Sequence, residues 1–169
     1  MDRAINLQIP GRICILGDKV DLLGKPVIAM AIDLMMDFHY RPSADGAIEF
    51  YSHDTNERIF FKIKESAPKD IDLAYWSVLF ERLRDKITKG FSLEVKSEIP
   101  IGCGLSSSAA VSVGFLKSLN EALSLDLDNS EIAELAYLGE NNDLGIQCGR
   151  MDQYSIAYGG VTFIHTDEN

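Results

Sequence analysis

The chain has 169 residues and a net charge of −10, with 16 Lys and Arg against 26 Asp and Glu. An acidic balance of that size opposes attraction to nucleic acid or to an anionic membrane, and no apolar run approaches the roughly 20 residues of a membrane span. Length and a hydrophobic content of 46% suit one well-buried domain, and the start Met1-Asp-Arg-Ala lacks a charged-then-apolar leader pattern, so the expected compartment is the cytoplasm.

Ile5, Leu7 and Ile9 alternate with polar neighbours, and after Pro10-Gly11 the run Ile13-Cys-Ile-Leu16 is apolar throughout, which predicts a half-buried strand followed by a second, more deeply buried one. Gly17-Asp-Lys-Val-Asp-Leu-Leu-Gly24 then forms a charged loop between strands, read either as a solvated turn or as a substrate-binding loop. Residues 26–38 read as a long strand, and Asp45-Gly46 as a hairpin turn joining residues 38–40 to 48–51. Asp54-Thr-Asn56 leads to a further strand over 58–63, so the first half reads as an antiparallel β region.

Pro68-Lys-Asp-Ile-Asp72 breaks this pattern. From Leu73 the apolar residues Trp76, Leu79, Phe80, Leu83 and Ile87 recur at helical spacing, and Lys89-Gly90 closes the helix. Phe91, Leu93 and Val95 alternate as a strand. A helix over 106–123 follows, with Val113, Leu116, Leu119 and Leu123 on one stripe, then a second from Asn129-Ser130 to about Gly139-Glu140. Strands, helix, strand, then helices make the class α+β.

Between the last predicted strand and its helix lies Pro100-Ile-Gly-Cys-Gly-Leu-Ser-Ser-Ser-Ala-Ala110. Gly102 and Gly104 permit positive φ and close backbone approach, while Ser106, Ser107 and Ser108 can cap the helix, bond a phosphate oxygen or touch a metal. The segment reads as a plain glycine turn with serine caps or as an anion cradle at a helix N-terminus. It lacks the Gly-Lys-Ser/Thr ending of a Walker A loop and the third glycine of the dinucleotide fingerprint. Downstream, Glu140 and Asp152 are carboxylates that could serve a magnesium-nucleotide reaction, or act as cap and surface acids. Cys14, Cys103 and Cys148 are odd in number and show no CxxC spacing, which predicts reduced thiols; His39, His53 and His165 are isolated.

Pro100-x-x-x-Gly-Leu-Ser-Ser-Ser-Ala109 resembles the ATP-binding motif of the GHMP kinases, and Cys148-Gly-x-Met-Asp-Gln153 resembles the segment bearing the catalytic aspartate in their galactokinase branch. Pro10-Gly-Arg through Gly24 is similar to the family's first motif. The resemblance implies a ribosomal protein S5 domain 2-like N-terminal domain over residues 1–169, a mixed or antiparallel sheet with helices packed on it, and a family C-terminal domain lying outside this sequence. It also implies an ATP- and Mg²⁺-dependent kinase acting on a hydroxyl of a sugar or sugar derivative, with a mevalonate-type kinase or a non-catalytic ligand sensor as alternatives.

By the same resemblance Asp152 and Arg12 are catalytic, and Pro100, Gly102, Cys103, Gly104, Leu105, Ser106, Ser107, Ser108 and Ala109 bind ATP. Ser108 and Glu140 hold the metal, with Ser107 as an alternative to Ser108, and Asp18 and Asp21 bind a small-molecule substrate; Lys19, between them, is a further substrate-binding candidate on its charge alone. Lys19 and Leu22 depart from the histidine and tyrosine of galactokinases, and Gly24-Lys-Pro26 resembles mevalonate kinases instead. A lysine there can meet a carboxylate or phosphate on the acceptor. Tyr75 and Trp76 are candidate adenine-stacking groups by their place between strand and loop, with the helical spacing of Trp76 favouring a core role.

Overall fold

A computed structural model describes residues 3–68 and 73–165. The expected break over 69–72 and the first two residues lie outside the described residues. Among the described residues no helix is long and apolar enough to cross a membrane.

Among the described residues, six strands form one mixed sheet: β1 Ile5–Leu16, β2 Val27–Ser43, β3 Ala47–Ser52, β4 Glu57–Lys62, β5 Gly90–Ser97 and β6 Val161–Ile164. Their order is β1-β2-β5-β3-β4, with β6 paired to the start of β2. The α+β class therefore stands, but two expectations about strands are corrected. Residues 5–16 form one strand rather than two, because the ladder absorbs Pro10-Gly11 as a register shift, with Pro10 opposite Met35 and Arg12 opposite Ala31. A shift on an edge strand leaves proline's missing N–H without a partner to disappoint.

The turn at Asp45-Gly46 also does not join neighbouring strands. Asp45 accepts from the Ser43 hydroxyl (2.5 Å) and from Ala47 N (3.0 Å), so the turn is satisfied by its own side chain. β5 then inserts between β2 and β3, antiparallel to β2 and parallel to β3. The entry point is Gly90: a Cβ there would lie 2.5 Å from Ala47 O. The residue expected to close a helix is thus the first of β5; within the first half the pairs β1/β2 and β3/β4 are antiparallel as expected, and the parallel pair is the one β3 makes with β5.

The described residues also form four α-helices: α1 Ala74–Leu83, α2 Ser107–Leu123, α3 Asn129–Leu138 and α4 Met151–Tyr158. Their apolar faces and the strands enclose one main core built around Phe38, Phe50, Trp76, Phe80, Phe91 and Phe115, all fully buried. Phe50 meets Trp76 and Phe115 edge-on at centroid distances of 5.2 and 5.6 Å, an arrangement aromatic quadrupoles favour. α3 begins with a reciprocal capping box between Asp128 and Glu131. It does not stop at Gly139-Glu140 but widens into a π turn, Gly139–Asp143, in which Leu144 N donates to Gly139 O.

Candidate active site

The bulge that merges the first two predicted strands also aims Arg12. Its backbone N–H donates to Leu105 O (3.2 Å), and its guanidinium Nη1 donates to Gly104 O (2.7 Å), so β1 is tied directly to the glycine-serine loop. Nε and Nη2 both donate to Asp152 Oδ1, at 2.9 and 2.6 Å. The second carboxylate oxygen, Oδ2, accepts from Ser106 Oγ at 2.5 Å. Residues 12, 104, 106 and 152 thus converge from three stretches of chain. The Arg12 side chain is 10% exposed and that of Asp152 31%, so the cation is enclosed while the carboxylate still reaches solvent.

The loop that supplies Gly104 and Ser106 is held open. Gly102 and Gly104 sit at φ 76° and 72°, with open space where a Cβ would stand. Pro100, Gly102 and Cys103 are exposed, Leu105 is partly buried against the core, and Ala109 is fully buried and offers only its backbone. Ser106 adopts the left-handed region, and no side chain caps the start of α2. The first N–H groups of that helix therefore keep their capacity for an anion.

Ser107 and Ser108 are half-buried and face a cavity of about 400 Å³ shared with Thr55, Tyr75, Ile101 and Val111. Tyr75 and Trp76 both border the cavity; Trp76 is also fully buried in the core and donates from Nε1 to Val111 O at 3.4 Å. Behind Ser108 lies Glu140, brought inward by the π turn. Glu140 is 6% exposed; its Oε1 lies 3.4 Å from Ser108 Oγ, and its Oε2 accepts from Gln153 Nε2 at 2.8 Å. Burial raises its carboxyl above the ordinary range and nearby Asp152 adds to this, against the bonds from Gln153, Ser108 and Tyr75.

Gln153, the last residue of the Met-Asp-Gln segment, is completely buried, and its Oε1 has no hydrogen-bond partner. Nothing local marks it, because its partner Glu140 sits in a π turn that no periodicity announces.

The predicted substrate residues separate. Asp18 and Lys19 are exposed, Lys19 in the left-handed region at φ 62°, just before a 3-10 turn at Val20–Leu23. Asp21 is half-buried and accepts from Met151 N at 3.1 Å, placing its carboxylate at the first turn of α4, one residue from Asp152. Arg150, on the same turn, is spoken for by Glu134 (2.9 Å to both oxygens) and by the face of Tyr137.

A family profile described as GHMP kinases N terminal domain matches residues 73–160, just over half of the chain. The chain belongs to the GHMP kinase family. It is 39% identical over 128 residues to the D-glycero-alpha-D-manno-heptose 7-phosphate kinase of Campylobacter jejuni, covering 74% of this chain and 38% of that protein. It is 30% identical over 170 residues to the galactokinase of Pyrococcus furiosus, covering 96% and 47%. Among solved structures, Lactococcus lactis galactokinase complexed with galactose superposes with a TM-score of 0.88 at 25% identity, over 98% of this chain and 45% of that one. The chain therefore spans less than half the length of these relatives.

In this GHMP domain the three cysteines are free. Burial, with Glu140 nearby, pushes the Cys148 thiol up to about 12, whereas Cys103 is exposed on the loop. Only thiolate reacts. Iodoacetamide at pH 8 is therefore expected to label Cys103 first and Cys148 last, read by mass spectrometry of tryptic peptides; comparable rates would contradict this environment for Cys148.

Proposed function

We propose that this chain supplies the nucleotide cradle and the catalytic carboxylate of an ATP-dependent kinase that phosphorylates a hydroxyl of a sugar derivative. The observation that carries this reading is the convergence of Arg12, Ser106 and Asp152 beside the uncapped start of α2. Phosphoryl transfer asks a protein for alignment and positive charge rather than covalent help. The N–H groups of residues 107–109 receive the phosphates, and the cavity beside Tyr75 takes the adenine. The acceptor oxygen bonds to the γ-phosphorus as the bond from that phosphorus to the β–γ bridging oxygen breaks; ADP leaves, and the hydroxyl proton passes to Asp152. Arg12 has five N–H groups and uses three, which leaves two for the transferred phosphoryl.

The residues present suit Mg²⁺. Among the described residues no group of three or more His, Cys, Asp or Glu forms a metal cage; one buried carboxylate oxygen beside one hydroxyl, Glu140 and Ser108, matches an ion that takes its other ligands from phosphates and water. When bound there it supplies positive charge to the β- and γ-phosphate oxygens.

The acceptor in this reading carries its own anion. Lys19 projects from the loop that sends Asp21 to the first turn of α4, and the 39%-identical relative is named for a sugar 7-phosphate. The test is an acceptor screen on the full-length protein, following ADP release with a heptose 7-phosphate, galactose and mevalonate. Turnover is expected with the phosphorylated sugar, and Lys19→Met is expected to raise its KM about tenfold or more. Turnover confined to galactose overturns the anionic-acceptor reading; turnover confined to mevalonate, itself a carboxylate, keeps the anion and overturns the sugar.

A further inference from the structure

We propose that Ser106 is a positioning residue: its hydroxyl serves Asp152 rather than the nucleotide, fixing the carboxylate oxygen that meets the acceptor. The inference rests on the reading of Asp152 as the proton acceptor given above.

The backbone makes the case for a special use of this serine. Ser106 holds φ 60° and ψ 46°, a conformation that costs any residue with a Cβ and that glycine adopts freely. Two glycines of the same loop already do so. A serine at the start of a helix ordinarily turns its oxygen onto the N–H groups of the first turn, from an extended backbone. Here that capping bond is absent, and the hydroxyl instead donates to Asp152 Oδ2 at 2.5 Å from a residue only 8% exposed. Strain at a site is stored for a reason when the side chain makes a contact glycine cannot.

The contact completes a frame. Arg12 places both of its bonds on one oxygen, Oδ1, which holds that atom but leaves the carboxylate plane free to swing about it. A third bond, at Oδ2, removes the swing. Oδ2 keeps a second lone pair for an incoming hydroxyl, and Asp152 remains partly open to solvent. Ser106 also begins α2, since its carbonyl accepts from Ala110 N at 3.0 Å. One residue therefore references both the anion-facing helix end and the orientation of the base, and small misplacements of such groups cost rate steeply.

The experiment compares Ser106→Ala, Ser106→Gly and Asp152→Asn in the full-length protein, measuring kcat, the KM for ATP and the melting temperature. Alanine keeps the backbone strain and glycine relieves it, while both delete the hydroxyl. The expected result is the same loss of kcat in both serine variants, about 10- to 100-fold, with the KM for ATP within about twofold and with Ser106→Gly melting no lower than Ser106→Ala. A rise in the KM for ATP at unchanged kcat would make Ser106 a phosphate ligand and overturn the inference. So would a kcat that falls in Ser106→Ala and recovers in Ser106→Gly, the mark of a purely conformational role. If Asp152→Asn loses turnover while both serine variants keep it, this inference alone fails; if Asp152→Asn keeps turnover, the reading of the base fails with it.

Discussion

Asp152→Asn in the full-length protein is expected to lower kcat by about 10²- to 10⁴-fold while changing nucleotide affinity no more than a few-fold. The substitution is chemically narrow at this position. Asparagine's carbonyl oxygen can accept the two N–H bonds that Arg12 now gives to Oδ1, and its amide can donate to the Ser106 oxygen in place of the bond received at Oδ2. The frame is kept, and what disappears is the basic oxygen to which the proposed mechanism passes the proton. The N–H groups of residues 107–109, proposed above to receive the phosphates, do not depend on that charge. Steady-state kinetics with a thermal melt of the same sample decide the matter: full turnover in a folded variant would move the base elsewhere. Arg12→Met is a blunter change, because it strands a half-buried carboxylate and frees the Gly104 carbonyl as well. It should lose stability along with rate.

Much of this arrangement is written in motifs, and some of it is not. The glycine-serine loop and the Met-Asp-Gln segment are legible because their chemistry depends on residue type at fixed spacing. The pairing of Arg12 with Asp152, 140 residues apart, came only through the family resemblance; no local pattern connects them. Helices α1, α2 and α3 follow from apolar periodicity. α4 escaped that reading because its buried positions include Gln153 and Ser155, and because its first N–H is met by Asp21, 130 residues upstream. The insertion of β5 between β2 and β3 was equally hidden. A turn satisfied by its own aspartate looks the same whether the strands it joins pair with each other or with a third, and Gly90 signals a close contact only once Ala47 is known to face it.

Gly114→Ala is expected to be among the most damaging single substitutions for stability, although it adds one methyl group and suits a helix. Gly114 lies in the middle of α2, where alanine gains about 1 kcal/mol in helix propensity. The added Cβ would stand 2.1 Å from Phe38 Cε2 and 2.2 Å from Cζ, closer than any real contact. Phe38 cannot yield cheaply: it is fully buried on β2, between strands β1 and β5, and faces Trp76 at 6.4 Å, which in turn stacks on Phe115 at 6.2 Å. Overpacking a core of this density costs about 1–3 kcal/mol and occasionally more. A clash this deep belongs at the upper end and outweighs the propensity gain, for a net loss of about 2 kcal/mol and a fall in melting temperature of about 4–8 °C. The double variant Gly114→Ala with Phe38→Leu should recover part of the loss, since the smaller side chain makes room for the methyl group. Because α2 carries the anion-facing turn at its other end, the same seat on β2 that Gly114 permits also sets where Ser106, Ser107 and Ser108 stand relative to Arg12. A melting temperature equal to wild type in the single variant would mean that the helix can ride higher on the sheet, and the distances from Ser106 and Gly104 to Asp152 and Arg12 would then not be fixed by the packing beneath them.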